Sequence, residues 1–407
     1  MALFGRSDKK QVISWALYDF ANSSYVLLMT SFIFPIFFKE VVVGPQWGDF
    51  WWGFAVSVSI VVGGLMAPFV GTLADYTRQR RTILTLFAVI AIIGTGLLFF
   101  SGSGLFFYTL IVFMVANACF EIAQTLYDSF LIDVARPEDS GKVSGFAWGL
   151  GYFGGTVAML FFYPLYAGGL ENVYAYKAAF LMTAIFFLVF SVPSFLFLPQ
   201  RKADKRKSLG IRQAFHSTMK TIRSVSKYKS IAWFLAGAYL FNDALVTIFV
   251  FLPLYARTTL HMSLTQIMVL FLISQTIAFP SAYILGRIGD AKSQKKILLM
   301  TILVWIAIVL IVAFFKTVVA FYIAGVFAGI VIGGSQAIIR SWYSRIIPRK
   351  KRSQFFGFNG FASKIAAVGG PLLFGTVSSL TGNQALAVLT LIPFFAGSFV
   401  IFYRIKE

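Results

Sequence analysis

Cysteine and histidine are almost absent from this chain of 407 residues, which has one cysteine and two histidines. Because Cys119 has no possible partner in the chain, an intrachain disulfide is excluded, and its apolar neighbours in the sequence favour a packing role. A histidine-based metal site is not expected either, since His216 and His261 fall in different connecting segments. We therefore expect neither a metal nor another cofactor.

Charged residues are also scarce, at 12% of the chain, and Lys and Arg outnumber Asp and Glu by 35 to 15. Hydrophobic residues make up 58%, and the mean hydropathy of +0.81 is far from that of soluble globular proteins. The net charge of +20 would suit nucleic acid only if the basic residues formed a patch on a soluble surface. They lie between apolar runs instead, so we expect a membrane protein that does not bind nucleic acid.

Motifs of enzyme sites are not recognisable in the sequence. Phosphate-binding glycine loops, paired carboxylates at an aqueous surface and nucleophile elbows are all missing. The sequence therefore does not predict an enzyme.

Twelve apolar runs are long enough to cross the ~30 Å hydrocarbon core, which takes a helix of about 20 residues. Helices are favoured over barrel strands, because strands would alternate apolar and polar residues over about 10 positions. The expected spans are residues 12–38, 51–73, 82–100, 105–131, 143–165, 176–198, 230–256, 265–285, 297–315, 318–343, 355–380 and 384–403. They give two six-helix halves, 1–198 and 230–407, joined by a linker at 199–229.

Lysine and arginine are concentrated on one side of these spans, since the termini and the even-numbered turns hold 29 of the 35. Basic residues are retained in the cytoplasm, so we expect both termini there, in a bacterial-type cytoplasmic (inner) membrane. The 199–229 linker is interpreted as a solvated basic segment. Its alternative is an amphipathic helix on the inner leaflet.

One pattern occurs twice, with its elements offset by 215 residues: a glycine, an aspartate four residues later and two adjacent basic residues. The copies are Gly71, Asp75, Arg80 and Arg81, and Gly286, Asp290, Lys295 and Lys296. The glycine would let two helices approach at the turn, and the aspartate would accept hydrogen bonds from a neighbouring helix end. We therefore expect an all-α membrane protein with twelve transmembrane helices in two pseudo-symmetric six-helix halves.

This architecture resembles the major facilitator superfamily of secondary transporters, whose signature loop is similar to residues 71–81. The sequence WALYDFANSSY from Trp15 to Tyr25 resembles the opening of its vacuolar-effluxer-like (autophagy-related) branch, also called the unknown major facilitator group. Residues 241–243 and 355–358 agree with that branch. The resemblance implies the major facilitator fold and, from the fungal vacuolar members, amino-acid efflux. The chain departs from the signature at Arg78, where glycine is usual.

Six ionisable side chains fall inside or at the rim of the expected spans, where an unpaired charge costs several kcal/mol. They are Asp19, Glu121, Asp128, Asp243, Arg340 and Lys364. At a rise of ~1.5 Å per residue, Glu121, Asp243 and Lys364 fall near the centre of the membrane. Asp128 and Arg340 fall near the cytoplasmic rim, so the two groups are expected to have different roles.

Residues of both halves are expected to bind the substrate: Asp19, Asn22, Tyr25, Gln124, Asn242, Asp243, Gln336 and Lys364. Proton coupling is assigned to Glu121, Asp19 and Asp243, because a buried carboxylate changes its protonation when its surroundings change. A static ion pair with Lys364 remains the alternative for Glu121 and Asp243. For Asn22 the alternative is a hydrogen bond that joins two helices.

A cytoplasmic gate is expected where the repeated motif meets charges on neighbouring helices. The superfamily resemblance implies that Arg340 pairs with Asp290, and Asp128 is expected to pair with Arg80 or Arg81. The full gate set is Gly71, Asp75, Arg80, Arg81, Asp128, Gly286, Asp290 and Arg340.

Together these features predict a monomeric secondary transporter in the lipid bilayer. It would be proton-coupled and move a small zwitterionic or anionic, amino-acid-like solute by alternating access. One alternative is a transporter of an amphipathic lipid or drug-like compound, and another is a membrane receptor or scaffold that does not transport. The cargo and the direction of transport do not follow from the sequence.

Overall fold

The computed structural model describes residues 8–135, 140–200, 229–291, 293–346 and 367–405, and it contains helices but no strand in these ranges. Twelve longer helices follow one another: α1 Lys9–Val43, α2 Gly48–Thr77, α3 Arg80–Leu97, α4 Phe106–Ser129, α5 Ser140–Phe161, α6 Val173–Phe197, α7 Lys229–Thr258, α8 Leu264–Ala291, α9 Gln294–Phe314, α10 Val318–Ile346, α11 Gly369–Thr381 and α12 Gln384–Arg404. Within the described residues, nine of them are long and apolar enough to cross a membrane, and α5 and α8 carry shorter apolar stretches. The expected all-helical architecture is confirmed.

Helix α1 changes its pitch along its length. An α-helical part, Lys9–Ser24, is followed by a π-helical segment, Tyr25–Phe32, and then by a short α-helical piece, Ile33–Phe37. Pro35 gives a physical reason for the wider segment, because proline has no N–H and its ring crowds the carbonyl four residues earlier. The π-helical turn keeps the neighbouring N–H groups bonded, five residues back, as from Ile33 to Leu28.

The ends of α1 differ from the sequence-based bounds. Asp8 caps the start, its carboxylate accepting from the backbone N–H of Lys10 at 2.9 Å. The helix continues to Val43 and stops at Gly44, whose φ of +98° ends it. Lys39, which the sequence placed in a turn, is therefore buried inside the helix.

The chain groups into two compact units. The first comprises Met1–Gly44 and Val58–Thr218, and the second comprises Pro45–Ser57 and Met219–Glu407. The linker predicted at 199–229 lies almost wholly outside the described residues. Residues 45–57, which include the start of α2, group with the second unit, although the sequence assigned them to the N-terminal half.

Each unit has its own helix packing. In the first unit α1 lies along α5 and α6, and α3 packs on α4 and α6. Gly154 of α5 is needed there, because a Cβ at this position would overlap the backbone of Phe20 in α1. In the second unit α8 lies along α10, and α7 lies along α12.

A buried carboxylate near the start of α2 organises one end of the second unit. Asp49 is 2% exposed, and its Oδ2 accepts hydrogen bonds from Ser378 Oγ at 2.5 Å and Gln384 Nε2 at 2.8 Å. The Oε1 of Gln384 in turn accepts from the hydroxyls of Thr258 and Thr259, both at 2.6 Å. These five residues, here called the Asp49 cluster, join α2 to α7, α11 and α12.

Two glycines allow the close approach of α2 and α11 beside this cluster. A Cβ on Gly53 would overlap the carbonyl oxygen of Pro371, and a Cβ on Gly375 would overlap that of Asp49. The backbone N–H of Phe50 also donates to Ser379 Oγ at 3.0 Å. The two helices are thus held by backbone contact as well as by the side chains of the Asp49 cluster.

The turn between α2 and α3 has a left-handed backbone at Arg78, with φ of +57°. This is the position at which the superfamily signature usually has glycine. A residue with a Cβ in this conformation carries a strain of about 1–2 kcal/mol. The turn therefore keeps the conformation that suits glycine although glycine is missing.

Replacing Arg78 by glycine should give a protein more stable than the Arg78→Ala variant by about 1 kcal/mol. Both substitutions remove the contacts of the side chain, and only glycine removes the strain caused by Cβ. Thermal unfolding of the two purified variants in the same detergent measures the difference. Equal melting temperatures would contradict the strain at this turn.

Removing the carboxylate of Asp49 should destabilise the second unit. In Asp49→Ala the buried donors of Ser378 and Gln384 lose their acceptor, which costs about 1–3 kcal/mol for each group. Asp49→Asn keeps one oxygen acceptor and should cost less. The matched control is Glu171→Ala, at an exposed acid in a short turn. Melting of Asp49→Ala at the temperature of the control would show that the cluster does not contribute to stability.

Candidate functional site

The predicted site residues that the structure describes form polar clusters inside each unit. In the first unit, Asn22 of α1 is buried, and its Nδ2 donates to Gln124 Oε1 at 2.8 Å. The Nε2 of Gln124 donates to Asp128 Oδ1 at 3.3 Å. Positions four apart on a helix share a face, which places Gln124 and Asp128 together on α4. These three residues, here called the α1–α4 cluster, were each singled out from the sequence.

Asp19 lies on α1 three residues before Asn22 and is only partly buried. Its carboxylate faces α5, because a Cβ added at Gly151 would lie 3.3 Å from Asp19 Oδ2 and 3.0 Å from Ser23 Oγ. Glycine at 151 thus leaves room beside the carboxylate. The predicted roles of Asp19 in substrate binding and proton coupling stay predictions.

Glu121 and Tyr25 lie one helical turn from this cluster. Glu121 is partly buried and packs against α2, where a Cβ on Gly63 would lie 2.7 Å from its own Cβ. Tyr25 is fully buried, and its hydroxyl lies 3.2 Å from Asn117 Oδ1, to which it donates. The Nδ2 of Asn117 donates to Ser59 Oγ at 2.7 Å. This contact favours a structural role for Tyr25, and its predicted contact with substrate remains a prediction.

Aromatic side chains fix α1 against α4 beside the cluster. The indole N–H of Trp15 donates to the carbonyl of Tyr127 at 3.0 Å, and the two rings stack with centroids 4.9 Å apart. Tyr18 also stacks on Tyr127, with ring centroids 4.9 Å apart. Among the described residues, the buried hydroxyls of Tyr18 and Tyr127 have no hydrogen-bond partner. Two members of this aromatic group lie in the motif from Trp15 to Tyr25, but no role was predicted for the group from the sequence.

The expected span at 355–380 is not one continuous helix. Residues 367–368 form a turn in the middle of it, and α11 begins only at Gly369, while 355–366 lie outside the described residues. The physical reason is visible in the sequence, because glycine at 369 and 370 and proline at 371 suit the first turn of a helix better than its interior. The Val368 carbonyl accepts from Ser57 Oγ of α2 at 2.9 Å.

Asp243 of α7 caps the start of α11. It is 4% exposed, and both carboxylate oxygens lie 3.0 Å from the backbone nitrogen of Gly370, from which they accept. Gly370 has to be glycine here, because a Cβ would overlap Thr247 Oγ1. A negative charge at the N-terminus of a helix is stabilised by the unpaired N–H groups and by the helix dipole. The carboxylate predicted for binding and coupling therefore also completes a helix end.

The remaining predicted substrate residues are spread out. Asn242 is partly buried on α7, and Gln336 is exposed on α10. Lys364 lies outside the described residues, so its predicted pairing with a carboxylate stays a prediction. Among the described residues, no group of three or more His, Cys, Asp or Glu side chains is arranged to hold a metal ion.

The two basic residues predicted for the gate contact different partners. Arg80 forms an ion pair with Asp133 Oδ2 at 2.5 Å and donates to the carbonyl of Ser129 at 3.4 Å. Arg81 instead donates to the carbonyls of Leu196 and Leu198, at 2.7 and 3.0 Å, at the end of α6. The expected alternative pairing of Arg81 with Asp128 is thus replaced by contacts with α6. Adjacent helical residues point about 100° apart, which explains why the two basic residues diverge.

The rest of the predicted gate is only partly visible. The structure does not describe the side chains of Asp75, Asp290 and Arg340, so their pairing stays a prediction. For Gly286 it describes only the place in α8. Gly71 is described, and a Cβ there would meet no described atom within 4 Å. The close helix approach expected at Gly71 is therefore not found in the described residues.

The second copy of the motif makes a contact of the same kind as that of Arg81, but from Lys295, the position that matches Arg80. Lys295 Nζ donates to the carbonyl of Ile405, just after α12, at 2.7 Å. In each unit a basic residue of the motif thus bonds carbonyls at the end of the last helix of that unit. The repeated motif in the sequence did not indicate that its basic residues would bond helix-end carbonyls.

Residues 52–407 match the family model described as "Vacuole effluxer Atg22 like". The chain is 26% identical over 408 residues to an uncharacterized MFS-type transporter, YxiO, of Bacillus subtilis, covering 98% of this chain and 95% of that protein. It is 24% identical over 363 residues to autophagy-related protein 22 of Kluyveromyces lactis, covering 84% and 70%.

Solved structures agree with these relatives. The nucleoside transporter NupG superposes with a TM-score of 0.73 at 13% identity, covering 98% of this chain and 99% of that chain. The inward-open xylose transporter XylE of E. coli superposes with a TM-score of 0.68 at 14% identity, covering 98% and 96%. These likenesses confirm the twelve-helix major facilitator fold predicted from the sequence. Since the family model spans most of the chain, the protein belongs to the Vacuole effluxer Atg22 like family and is a membrane transporter of the MFS type, not an enzyme.

Proposed function

We propose that the protein is a proton-coupled secondary transporter of small zwitterionic or anionic, amino-acid-like solutes. The observation that carries the proposal is a carboxylate within the first helix of each six-helix half, Asp19 on α1 and Asp243 on α7. Each lies beside glycine of a neighbouring helix, Gly151 and Gly370 respectively. Ionisable groups inside membrane helices are costly, and they are retained mainly where they bind cargo or protons.

Asp243 offers a physical link between a proton and a helix. The ionised carboxylate accepts from the Gly370 N–H and lies at the positive end of α11. A protonated carboxyl keeps an acceptor oxygen but loses its charge, and the charge–dipole attraction at a helix end amounts to about 0.3–2 kcal/mol. Proton uptake then weakens the attachment of α11 to α7. A proton bound at Asp243 therefore changes the energy of a helix position.

The α1–α4 cluster and Asp19 supply groups for a zwitterionic solute. Gln124 and Asn22 present amides, and the Asp19 carboxylate suits the ammonium group of an amino acid. Lys364 is assigned to the carboxylate of the solute. The description of the family, "Vacuole effluxer Atg22 like", supports transport. We assign the chain to the cytoplasmic membrane as a monomer with both termini inside, working by alternating access.

Neutral substitutions of the coupling acids should abolish pH-driven transport without unfolding the protein. For Glu121→Gln and Asp19→Asn in reconstituted vesicles, we expect uptake of a mixture of labelled amino acids under a pH gradient to fall at least tenfold. The control is Glu171→Gln, which should transport like the wild type. Pyranine trapped in the vesicles reports the accompanying proton flux. Unchanged pH-driven uptake in both variants would refute proton coupling at these residues.

Substitutions of Asp243 separate its capping role from its charge. Asp243→Asn keeps an acceptor for Gly370 and should melt close to the wild type while losing pH-driven uptake. Asp243→Ala loses the cap and should be less stable by about 1–2 kcal/mol. The control is Asn383→Ala, which removes the neutral cap of α12 and should lower stability without affecting proton coupling. Full pH-driven uptake by Asp243→Asn would leave this residue only its structural role.

A further inference from the structure

A cavity of about 490 Å³ lies between the ends of α3 and α6 in the first unit. Its lining residues are Arg81, Thr82, Thr85, Leu86, Val89, Phe195 and Gln200. It shares no residue with the α1–α4 cluster, with Asp19 or with Glu121. Its volume falls within the ~300–1,000 Å³ that small-molecule sites usually have. The cavity is thus large enough for a ligand, and of the residues proposed for transport it includes only Arg81 of the gate set and none of those proposed for substrate binding or proton coupling.

The wall of the cavity changes from polar to apolar along α3. Arg81 and Thr82 lie in the first turn of the helix, whereas Leu86 and Val89 lie further along it. At ~1.5 Å per residue, Val89 is about 12 Å deeper than Arg81. A ligand that fits this wall has an anionic end near Arg81 and an apolar tail beside Val89.

Hydrogen bonds orient the guanidinium group of Arg81 but do not neutralise its charge. Its Nε donates to Gln200 Oε1 at 3.0 Å, and its Nη1 donates to the carbonyls of Leu196 and Leu198. Carbonyl and amide oxygens orient a guanidinium but do not cancel its charge. In the described part of the chain, no carboxylate pairs with Arg81 and no atom accepts from its Nη2. The remaining donor edge suits a phosphate, which arginine binds with good geometry.

The cavity is open on its apolar side. Leu86 is 55% exposed and Leu196 of α6 is 58% exposed. In a membrane protein, exposed apolar side chains at this depth face lipid chains. A ligand therefore reaches the cavity from the bilayer, and its tail stays in the bilayer.

We propose that this cavity binds the headgroup of an anionic phospholipid. The Arg81 guanidinium contacts the phosphate, Thr82 and Gln200 form the polar rim, and an acyl chain lies along Leu86 and Val89. The site depends on the membrane location of the protein and not on its cargo or its coupling to protons.

Retention of lipid by purified protein tests this site. Wild-type protein in detergent, stripped of lipid, is titrated with phosphatidylglycerol, phosphatidylcholine or glycerol 3-phosphate and followed by native mass spectrometry and thermal unfolding. We expect phosphatidylglycerol to be retained and to raise the melting temperature, because a ligand of the folded state stabilises it. The other two should have little effect.

Two variants and one control assign the binding to the cavity. Arg81→Gln removes the charge, and Val89→Trp fills the apolar part while the hydrogen bonds of Arg81 remain. Each should lower retention of phosphatidylglycerol at least fivefold. Arg404→Gln, at an exposed arginine in the last turn of α12, loses the same charge and should bind like the wild type.

Three results would overturn the proposal. They are equal retention of phosphatidylglycerol and phosphatidylcholine by the wild type, equal stabilisation by glycerol 3-phosphate, and wild-type retention by Val89→Trp. Should Arg81→Gln fail to fold, because Arg81 also bonds the end of α6, Val89→Trp decides the result alone. Transport activity is not part of the readout, so failure here leaves the proposed function untouched.

Discussion

A backbone N–H or carbonyl group that cannot reach water inside a bilayer has to be paired within the protein. This constraint accounts for much of what the charged and polar side chains do here. Asp243 and Ser57 pair the backbone groups on either side of the turn before α11. Arg81 and Lys295 pair carbonyls where α6 and α12 end. Charged residues that the sequence marked as functional, such as Asp243 and Arg81, thus also form hydrogen bonds with backbone groups at helix ends.

The sequence predicted the helices and their duplication because both leave local signals. An apolar run of about 20 residues reports a membrane span wherever it occurs, and a motif repeated at a fixed offset reports two related halves. Gln124 and Asp128 lie four residues apart and share one face of a helix, so the hydrogen bond between them is encoded locally. Their roles in substrate binding and in the gate stay predictions.

Contacts between distant segments were not predicted. Asp49 accepts hydrogen bonds from Ser378 and Gln384, which follow it by 329 and 335 residues. No residue near Asp49 in the sequence indicates either partner. The turn before α11 does have a local signal, a glycine pair followed by Pro371, but the expected span at 355–380 ran through it. Arg80 and Arg81 were both assigned to the gate as possible partners of Asp128, although adjacent residues on a helix point towards different neighbours.

Helix α2 belongs to both compact units, since its residues up to Ser57 group with one and those from Val58 group with the other. The two parts are one continuous helix of 30 residues, Gly48–Thr77. A cut of the chain between Ser57 and Val58 would therefore break α2 and leave each unit with only a piece of it.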